Sequence, residues 1–174
     1  MGEKGPAARA KLLRALLAER VTGLNMRNVV TGAMEDGIAY EDEAADKWVE
    51  LTGRSLRLSR IYPHPTIEWF SATPDRELDD GLVEIKVPTV ETFVSWKLAG
   101  VVPEQHKPQM IAQCLCSGKS WCGFLAYSPY IKDESKRLFM RKFTPTNEEL
   151  VNVETHAVLF LQDLEKMFEQ FTES

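Results

Sequence analysis

Two short segments decide the fold: Ser71-Ala-Thr-Pro-Asp75 and Gly81-Leu-Val-Glu-Ile-Lys-Val-Pro88. The second segment alternates apolar and polar residues and ends at a proline, which is typical of a β-strand. Because side chains alternate along a strand, Glu84 and Lys86 share one of its faces. An Asp-Asp-Gly turn precedes the strand, and a hairpin formed there would bring Asp75 beside Glu84.

These three side chains are suited to phosphodiester hydrolysis. Two carboxylates at close range repel each other, and one must take up a proton unless a cation lies between them. Hard oxygen ligands favour Mg²⁺ or Mn²⁺, which can lower the pKa of a bound water and offset charge on a phosphate. Lys86 could orient the attacking water or stabilise developing negative charge. Taken alone, the same residues are also explained as a surface cross-strand pair and a turn residue, because short motif matches are common.

Hydrophobic periodicity and turn residues divide the rest of the chain into helices and strands. Helices are predicted at 7–22, 28–52, 90–99, 104–117 and 147–171, and strands at 55–61, 67–72, 82–87, 121–127 and 137–143. No repeat, low-complexity tract or long linker interrupts this order. The sequence therefore predicts one α/β domain over residues 1–174, with a mixed central sheet flanked by helices.

The second predicted helix carries a carboxylate within its apolar stripe. The apolar residues of this helix recur at steps of three and four, which places them on one face: Met34, Ile38, Ala45 and Trp48. Glu41 occupies the position of that face between Ile38 and Ala45. An inward carboxylate is unfavourable unless something pairs with it. Two explanations stay open: a helix rotated so that Glu41 lies at its rim, or a functional role for the carboxylate.

The composition is that of an ordinary globular chain with an acidic balance. Hydrophobic residues make up 44%, charged residues 27%, and the formal net charge is −5. Nucleic-acid-binding domains are often basic, so a negative net charge does not by itself indicate one. It does not exclude one either, because a metal-dependent nuclease concentrates carboxylates at its site and a local basic patch can coexist with an acidic total. No run approaches the roughly 18 apolar residues of a membrane helix. The first residues lack a signal-peptide layout, so we expect a cytoplasmic protein that does not contact a membrane.

We expect the cysteines and three of the tryptophans to have structural rather than catalytic or ligand-binding roles. The three cysteines are odd in number and closely spaced, and the histidines do not complete a zinc site, so buried free thiols are expected at Cys114, Cys116 and Cys122. Aromatic side chains bury a large area. Three tryptophans are therefore interpreted as core or rim residues rather than base-stacking platforms: Trp69, Trp96 and Trp121.

An ordered set of motifs covers about residues 10–170. In chain order the motifs are Gly37-Ile-Ala-Tyr-Glu41, Thr73-Pro-Asp75, Glu84-Ile-Lys-Val-Pro88, Gln109-Met-Ile-Ala-Gln113, Gly118, Trp121, Phe124 and Tyr127-Ser-Pro129. Together they resemble the phage lambda-type exonuclease family of viral recombinases, which are PD-(D/E)xK nucleases. The resemblance implies a restriction-endonuclease-like core, an α/β fold whose mixed central sheet is flanked by helices.

The resemblance also implies catalytic roles for five residues: Asp75, Glu84, Lys86, Glu41 and Gln109. Asp75 and Glu84 would hold the catalytic Mg²⁺, for which Mn²⁺ would substitute, together with the backbone carbonyl of Ile85. Lys86 would position or activate the attacking water. Glu41 would face the same site from its helix, which would account for a carboxylate in an apolar stripe.

Further residues are expected to contact the substrate. By the resemblance, Gln109 would approach the attacking water or the scissile phosphate, and Gln113 would lie one turn further along the same helix face, against DNA. Lys97 and Lys107 belong to a segment that could close over DNA. Arg76 is also expected at the DNA, although the family usually has a glycine after the aspartate.

Relatives degrade linear double-stranded DNA from the 5′ end, release mononucleotides and leave a 3′ single strand. The resemblance therefore implies DNA ends as substrate, a ring-shaped homotrimer, a single-strand annealing protein as partner, and a phage or prophage origin in a bacterial cytoplasm. The usual N-terminal segment W-x-x-x-R-x-G-x-(I/V)-T-A-S has no counterpart before Gly23, and Tyr127-Ser-Pro129 replaces the commoner Y-D-P. Two alternatives stay open: a PD-(D/E)xK nuclease acting on flaps, on single strands or as an endonuclease, and a non-catalytic DNA-binding module on the same fold.

Overall fold

The computed structural model describes residues 5–24 and 32–173, and of residues 32–39 only the helical backbone. The predicted helix start at 28–31 and the side chains of Met34, Gly37 and Ile38 therefore lie outside the described residues. The chain divides into two compact units, one formed by Met1–Val30 with Thr155–Ser174 and the other by Thr31–Glu154. The single domain expected from the sequence stays a prediction.

Five helices account for most of the described chain. They are α1 Pro6–Thr22, α2 Gly32–Thr52, α3 Val90–Ala99, α4 Lys107–Ser117 and α5 Asn147–Glu173. The prediction for α3 is confirmed at both ends, because the Thr89 side chain accepts a hydrogen bond from the Thr92 N–H and Gly100 adopts a left-handed φ of 71°. A short 3₁₀ turn, Glu104–His106, precedes α4 within the helix predicted there.

The described residues contain seven strands, which form two sheets. They are β1 Arg57–Leu58, β2 Tyr62–Pro63, β3 Ser71–Ala72, β4 Arg76–Glu77, β5 Leu82–Lys86, β6 Cys122–Tyr127 and β7 Leu138–Phe143. The five-stranded sheet has the order β1-β4-β5-β6-β7, and the β2–β3 pair forms a separate two-stranded sheet. Among the strand pairs that the structure describes in this sheet, β5–β6 alone is parallel, so the predicted mixed sheet is confirmed. The strands predicted at 55–61 and 67–72 are reduced to two-residue pieces, and β4 had not been predicted.

Helix α2 covers one face of the central strand. Val83 and Ile85 of β5 belong to the same buried cluster as Ala44, Ala45 and Trp48 of α2. Parallel strands that are buried on both faces usually consist almost entirely of apolar residues. Strand β5 follows this pattern at every position except Glu84 and Lys86. This packing confirms the inward face that the alternation predicts.

Helices α3 and α4 cover the opposite face. Leu82 packs there with Phe93 of α3 and Met110 of α4. Glu84 lies on this face two residues beyond Leu82 and is 0% exposed. Helix α4 also packs against the small β2–β3 sheet. The fold therefore buries a carboxylate at the centre of the molecule's main sheet.

The first unit contains α1 and the C-terminal part of α5. Arg20 of α1 lies 2.5 Å from Glu165 of α5, with its guanidinium 3.8 Å from the centre of the Phe168 ring. Arg9 makes a second ion pair with Asp163, at 2.7 Å. Among the helices the structure describes, none is both long and apolar enough to cross a membrane.

Candidate functional site

The β4–β5 hairpin brings the motif carboxylates together. Arg76 pairs with Val83 and Glu77 with Leu82, so Asp75 comes opposite the middle of β5. The Asp75 Oδ2 accepts a hydrogen bond from the N–H of Ile85 at 2.6 Å, next to Glu84. The local sequence favours this geometry, since the Asp-Asp-Gly turn connects two short antiparallel strands.

Glu84 is held by two hydrogen-bond donors. Lys86 Nζ pairs with its Oε1, and the side-chain amide of Gln113 donates to its Oε2. Gln113 is 1% exposed, and its own oxygen accepts from the Cys122 thiol at 3.3 Å. Such a satisfied polar network fixes the orientation of a buried carboxylate.

The electrostatics of the pair favour binding of a cation. Burial raises the pKa of Glu84, and the charge of Asp75 raises it further, whereas Lys86 and Gln113 act in the opposite direction. Burial also raises the pKa of Asp75, against the hydrogen bond from Ile85 and the charges of Lys86 and Arg76. Both carboxylates are therefore insufficiently compensated as anions, which is the condition that a bound divalent cation relieves.

Glu41 belongs to the same electrostatic environment. Its pKa is raised first by burial and then by the charge of Asp75, while Lys86 and Arg76 lower it and Glu84 raises it slightly. The half-buried Glu41 thus approaches the cluster from α2. Both explanations for this carboxylate stay open, and its functional role stays a prediction.

Arg76 ties the aspartate segment to α2. Its Nη1 donates to the backbone carbonyl of Asp75 at 2.8 Å, and its Nη2 pairs with Asp42, the neighbour of Glu41. Arg76 is 8% exposed, and the DNA contact expected for it stays a prediction. Sequence reasoning missed this tie, because nothing in the local pattern marks Asp42 as its partner.

The two glutamines of α4 occupy different environments. Gln109 is exposed, whereas Gln113 is buried against Glu84. The amide of Gln113 contacts a carboxylate of the protein itself, and the DNA contact expected for Gln113 stays a prediction. The approach of Gln109 to substrate stays a prediction.

Both lysines expected at DNA have partners within the protein. Lys97 Nζ donates to the carbonyls of Lys136 and Leu138 at 2.5 and 2.9 Å, and burial lowers the pKa of Lys97. Lys107 Nζ pairs with Glu104 at 2.5 Å. Contacts of these lysines with DNA stay predictions.

The expected buried thiols are confirmed. Cys114, Cys116 and Cys122 are all free and buried. Burial raises the pKa of Cys114 and of Cys116 to about 11, and it raises the pKa of Cys122 as well. Thiols in such surroundings stay protonated and behave as small apolar groups.

The donor set fits a hard divalent cation. Within the described residues, no group of three or more His, Cys, Asp or Glu side chains is arranged to hold a metal ion. Two carboxylates, Asp75 and Glu84, with the adjacent backbone carbonyl of Ile85, still offer the oxygen ligands that Mg²⁺ takes alongside water. Because Lys86 bonds Glu84 Oε1, a metal at that oxygen would compete with the ammonium group.

Comparison with known families identifies the chain. The model of the YqaJ-like viral recombinase domain matches residues 6–120, a range that contains the hairpin, Glu41 and both glutamines of α4. The chain belongs to the YqaJ-like viral recombinase family. The resemblance drawn from the ordered motifs is thereby confirmed.

Solved structures extend the likeness over nearly the whole YqaJ-like chain. It is similar to an alkaline exonuclease (LHK-Exo) from Laribacter hongkongensis, with 28% identity, a TM-score of 0.90, and coverage of 98% of this chain and 87% of that one. The same exonuclease in complex with dAMP gives a TM-score of 0.91 at 28% identity, over 98% and 86% of the two chains. A phage-related exonuclease from Haemophilus somnus 129PT, at 12% identity and a TM-score of 0.73 over 96% and 85%, shares the fold.

These likenesses establish the broad class of this YqaJ-like protein. No match was found among curated proteins. The restriction-endonuclease-like α/β core is confirmed, and homology to exonucleases supports a nuclease that binds DNA.

Proposed function

We propose that the chain is a metal-dependent 5′→3′ exonuclease that degrades linear double-stranded DNA to mononucleotides and leaves 3′ single strands for recombination. The observation that supports this most directly is the hairpin cluster, in which Asp75, the buried Glu84 and Lys86 meet on one edge of β5. The similar alkaline exonuclease has been solved with dAMP, a deoxynucleoside monophosphate. A product of that kind would come from successive removal of terminal nucleotides.

Each residue of the cluster has a task in this proposal. Asp75, Glu84 and the carbonyl of Ile85 would hold Mg²⁺, or Mn²⁺ in its place. When bound, the cation supplies positive charge next to the scissile phosphate and makes an attacking water more acidic. Lys86 orients that water and offsets the negative charge that develops on the phosphate. Glu41 would face the same water from α2.

In this proposal the two glutamines of α4 position the carboxylate and the substrate. Gln113 holds the second oxygen of Glu84, so that the carboxylate keeps one orientation before substrate arrives. Gln109, exposed one turn earlier on α4, is free to approach the scissile phosphate in this proposal. Burial of Glu84 excludes bulk water and strengthens electrostatic interactions at the reacting phosphate.

The wider setting is proposed from the family. A ring-shaped homotrimer would keep the enzyme on one strand through many cleavage cycles, and a single-strand annealing protein would receive the 3′ strand. A phage or prophage protein of this kind would act in the cytoplasm of its bacterial host.

Nucleotide release from a linear duplex with a labelled 5′ phosphate tests the proposal. In Mg²⁺ we expect labelled mononucleotides from the linear substrate and none from closed circular DNA. Lys86→Ala should abolish release, whereas Lys132→Ala, which alters an exposed lysine outside the cluster, should retain it. A duplex labelled at the 3′ end reports the polarity, because its label should be released last.

Three results would contradict the proposal in different ways. Cleavage of closed circles, or of circular single strands, would indicate an endonuclease or a single-strand nuclease on this fold. Early release of the 3′ label would reverse the polarity. Failure to cleave in Mg²⁺ and Mn²⁺, combined with failure to bind Mn²⁺ in a calorimetric titration, would favour the non-catalytic DNA-binding module.

A further inference from the structure

Trp69 lies on the surface in the loop between β2 and β3. Its side chain is 87% exposed, while Trp48 and Trp121 are buried and Trp96 is half-buried. The interpretation of Trp69 as a core or rim aromatic is therefore wrong. The sequence could not reveal this, because an aromatic residue within a predicted strand, here 67–72, has the same local pattern whether its side chain points inward or outward.

The backbone of Trp69 is in an uncommon conformation. Its φ is +67°, and it is the one non-glycine residue of the described chain with a positive φ. A bulky L-residue rarely adopts this region. Burial of the indole does not compensate for the strain, because most of the ring is in solvent. Strain that the fold does not need is more often found where a residue binds something.

The loop around Trp69 is held in place by hydrogen bonds and a ring contact of His64. The buried His64 accepts hydrogen bonds at Nδ1 from the N–H groups of Thr66 and Ile67, at 3.3 and 3.1 Å. The His64 ring stacks on Phe70 with centroids 5.4 Å apart, and the backbone N–H of His64 donates to the backbone carbonyl of Phe70 at 2.8 Å. The histidine thus fixes the backbone on both sides of Trp69 and keeps the indole outward.

The position of the loop connects it to the candidate site. Strand β3 leads from Phe70 into the Thr-Pro-Asp75 motif, and the β2–β3 pair packs on α4, the helix that holds Glu84 through Gln113. Trp69 and Asp75 are six positions apart in the chain, which limits the distance between their Cα atoms to about 20 Å. Since DNA rises about 3.4 Å per base pair, this limit corresponds to about six base pairs.

The neighbouring side chains suit nucleic acid. The exposed Arg60 precedes β2, and its guanidinium lies 4.9 Å from the centre of the ring of Tyr62, the first residue of that strand. A cation and aromatic rings on one short hairpin form the combination that holds unpaired strands, with charge for the phosphates and a π-face for the bases. Within a continuous duplex both faces of every base are covered, so an indole can stack only at an end or on an unpaired base.

We propose that Trp69 stacks on a free base face at the end of the DNA, next to the strand being degraded, and so favours DNA ends over duplex interiors. This inference rests on the proposed exonuclease function and names a substrate contact that the catalytic cluster does not provide. Because every base has a π-face, the contact would hold each new terminal base as the strand shortens, without preference for sequence.

Binding in a cleavage-deficient background tests the contact. In the full chain carrying Lys86→Ala, with Mg²⁺, we expect a blunt or frayed duplex to quench the fluorescence that Trp69 contributes, and closed circular DNA not to quench it. Adding Trp69→Gly should weaken affinity for duplex ends about tenfold, within the range found for removal of one base-stacking aromatic. Trp69→Tyr should restore most of the affinity.

The choice of variants separates stacking from folding. Glycine favours a positive φ, so Trp69→Gly should keep or raise the thermal midpoint. Trp69→Asn is a second ring-free variant that tolerates this backbone. Leu51→Ala, at another exposed apolar residue at the end of α2, is the matched control and should bind DNA like the parent.

Two outcomes would overturn the inference. In one, Trp69→Gly and Trp69→Asn bind duplex ends as tightly as the parent. In the other, these variants change the oligomeric state and leave DNA affinity intact, which would assign the indole to a protein interface. If the wild-type chain cleaves linear DNA and the variants bind it normally, only this inference fails. If the wild-type chain neither cleaves nor binds DNA ends, the proposed function fails with it.

Discussion

Glu84 shows how a single residue acquires its chemistry from its surroundings. The carboxylate is fully buried, yet both of its oxygens have donors, Lys86 on one side and Gln113 on the other. A buried anion without such partners would be strongly unfavourable. Because burial and, after it, the charge of Asp75 raise the pKa of Glu84, the single ammonium group of Lys86 does not fully offset the negative charge of the carboxylate pair.

At this scale we predict that metal binding and catalysis respond oppositely to Lys86→Ala. Removing the ammonium frees Glu84 Oε1 and removes a like charge, so Mn²⁺ affinity measured by calorimetric titration should stay the same or increase. Nucleotide release should fall by about 100-fold or more, as is typical when a group that acts on the reacting water is lost. Loss of Mn²⁺ binding in this variant would contradict the competition between lysine and metal.

Arg76 and Asp42 form an ion pair, and we predict that Arg76 contributes more than Asp42 to the free energy of unfolding. The Asp42 side chain is 83% exposed, so Asp42→Ala should change the free energy of unfolding by less than about 1 kcal/mol. Arg76→Ala also removes the donor to the Asp75 carbonyl and the buried stem of the side chain, and should destabilise by about 1–3 kcal/mol. Urea unfolding of both variants measures the difference, and equal effects would refute this ranking.

The β4–β5 hairpin is the element that assembles the site. Its turn must place Asp75 against the N–H of Ile85, while β5 pairs in parallel with β6 on its other side. Gly81 at the end of the turn lies against the indole of Trp121, so close that an added Cβ would overlap the ring. The turn and the start of β6 are therefore packed together, and the hairpin depends on this contact.

We predict that Gly81→Ala damages the site through the hairpin. The new methyl group must displace the Trp121 ring or the turn, and overpacking of this kind destabilises by about 1–3 kcal/mol. Thermal unfolding should show the loss, and the KM for DNA and the kcat should both worsen if Asp75 moves. Gly118→Ala is a useful comparison, because the space around its Cβ is open and only its positive φ of 73° opposes the change. An unaltered midpoint for Gly81→Ala would contradict the close packing.

At the scale of the whole molecule, the carboxylate cluster links stability to pH and metal. The chain carries a net charge of −5, and three of its carboxyl groups, those of Glu41, Asp75 and Glu84, have pKa values raised by burial. The folded state therefore holds these protons more tightly than the unfolded chain does. The free energy of unfolding should consequently fall as the pH rises from the ordinary pKa of a carboxyl through the raised pKa in the folded protein.

This linkage predicts that metal-free protein gains stability when one charge is removed. In EDTA at neutral pH, Asp75→Asn should raise the thermal midpoint, and the gain should shrink as the pH falls below the raised pKa values. Mg²⁺ should raise the midpoint of the wild type by mass action and that of Asp75→Asn much less. A wild-type midpoint that is insensitive to Mg²⁺ would argue against a metal at this pair.

Much of the architecture was predictable because it depends on neighbours in the sequence. The Thr89 cap and Gly100 define α3, and the alternation in residues 82–87 defines β5 and the shared face of Glu84 and Lys86. The extended stretches at 55–61 and 67–72 were predicted too long; the loop that His64 holds occupies the first residues of the second stretch. Strand β4 was missed because its two residues become a strand only by pairing with β1 and β5.

The sequence by itself determined the order of elements, the hairpin and the membership of Asp75, Glu84 and Lys86 in one motif, because strand alternation and turn chemistry act over a few residues. Only the tertiary structure decided that Gln113 orients Glu84, that Arg76 is tied to Asp42 and that Trp69 faces solvent. Each of these depends on which distant element packs alongside. This packing determines which side chains are buried and which residues they contact, and it cannot be inferred from the residues next to them in the sequence.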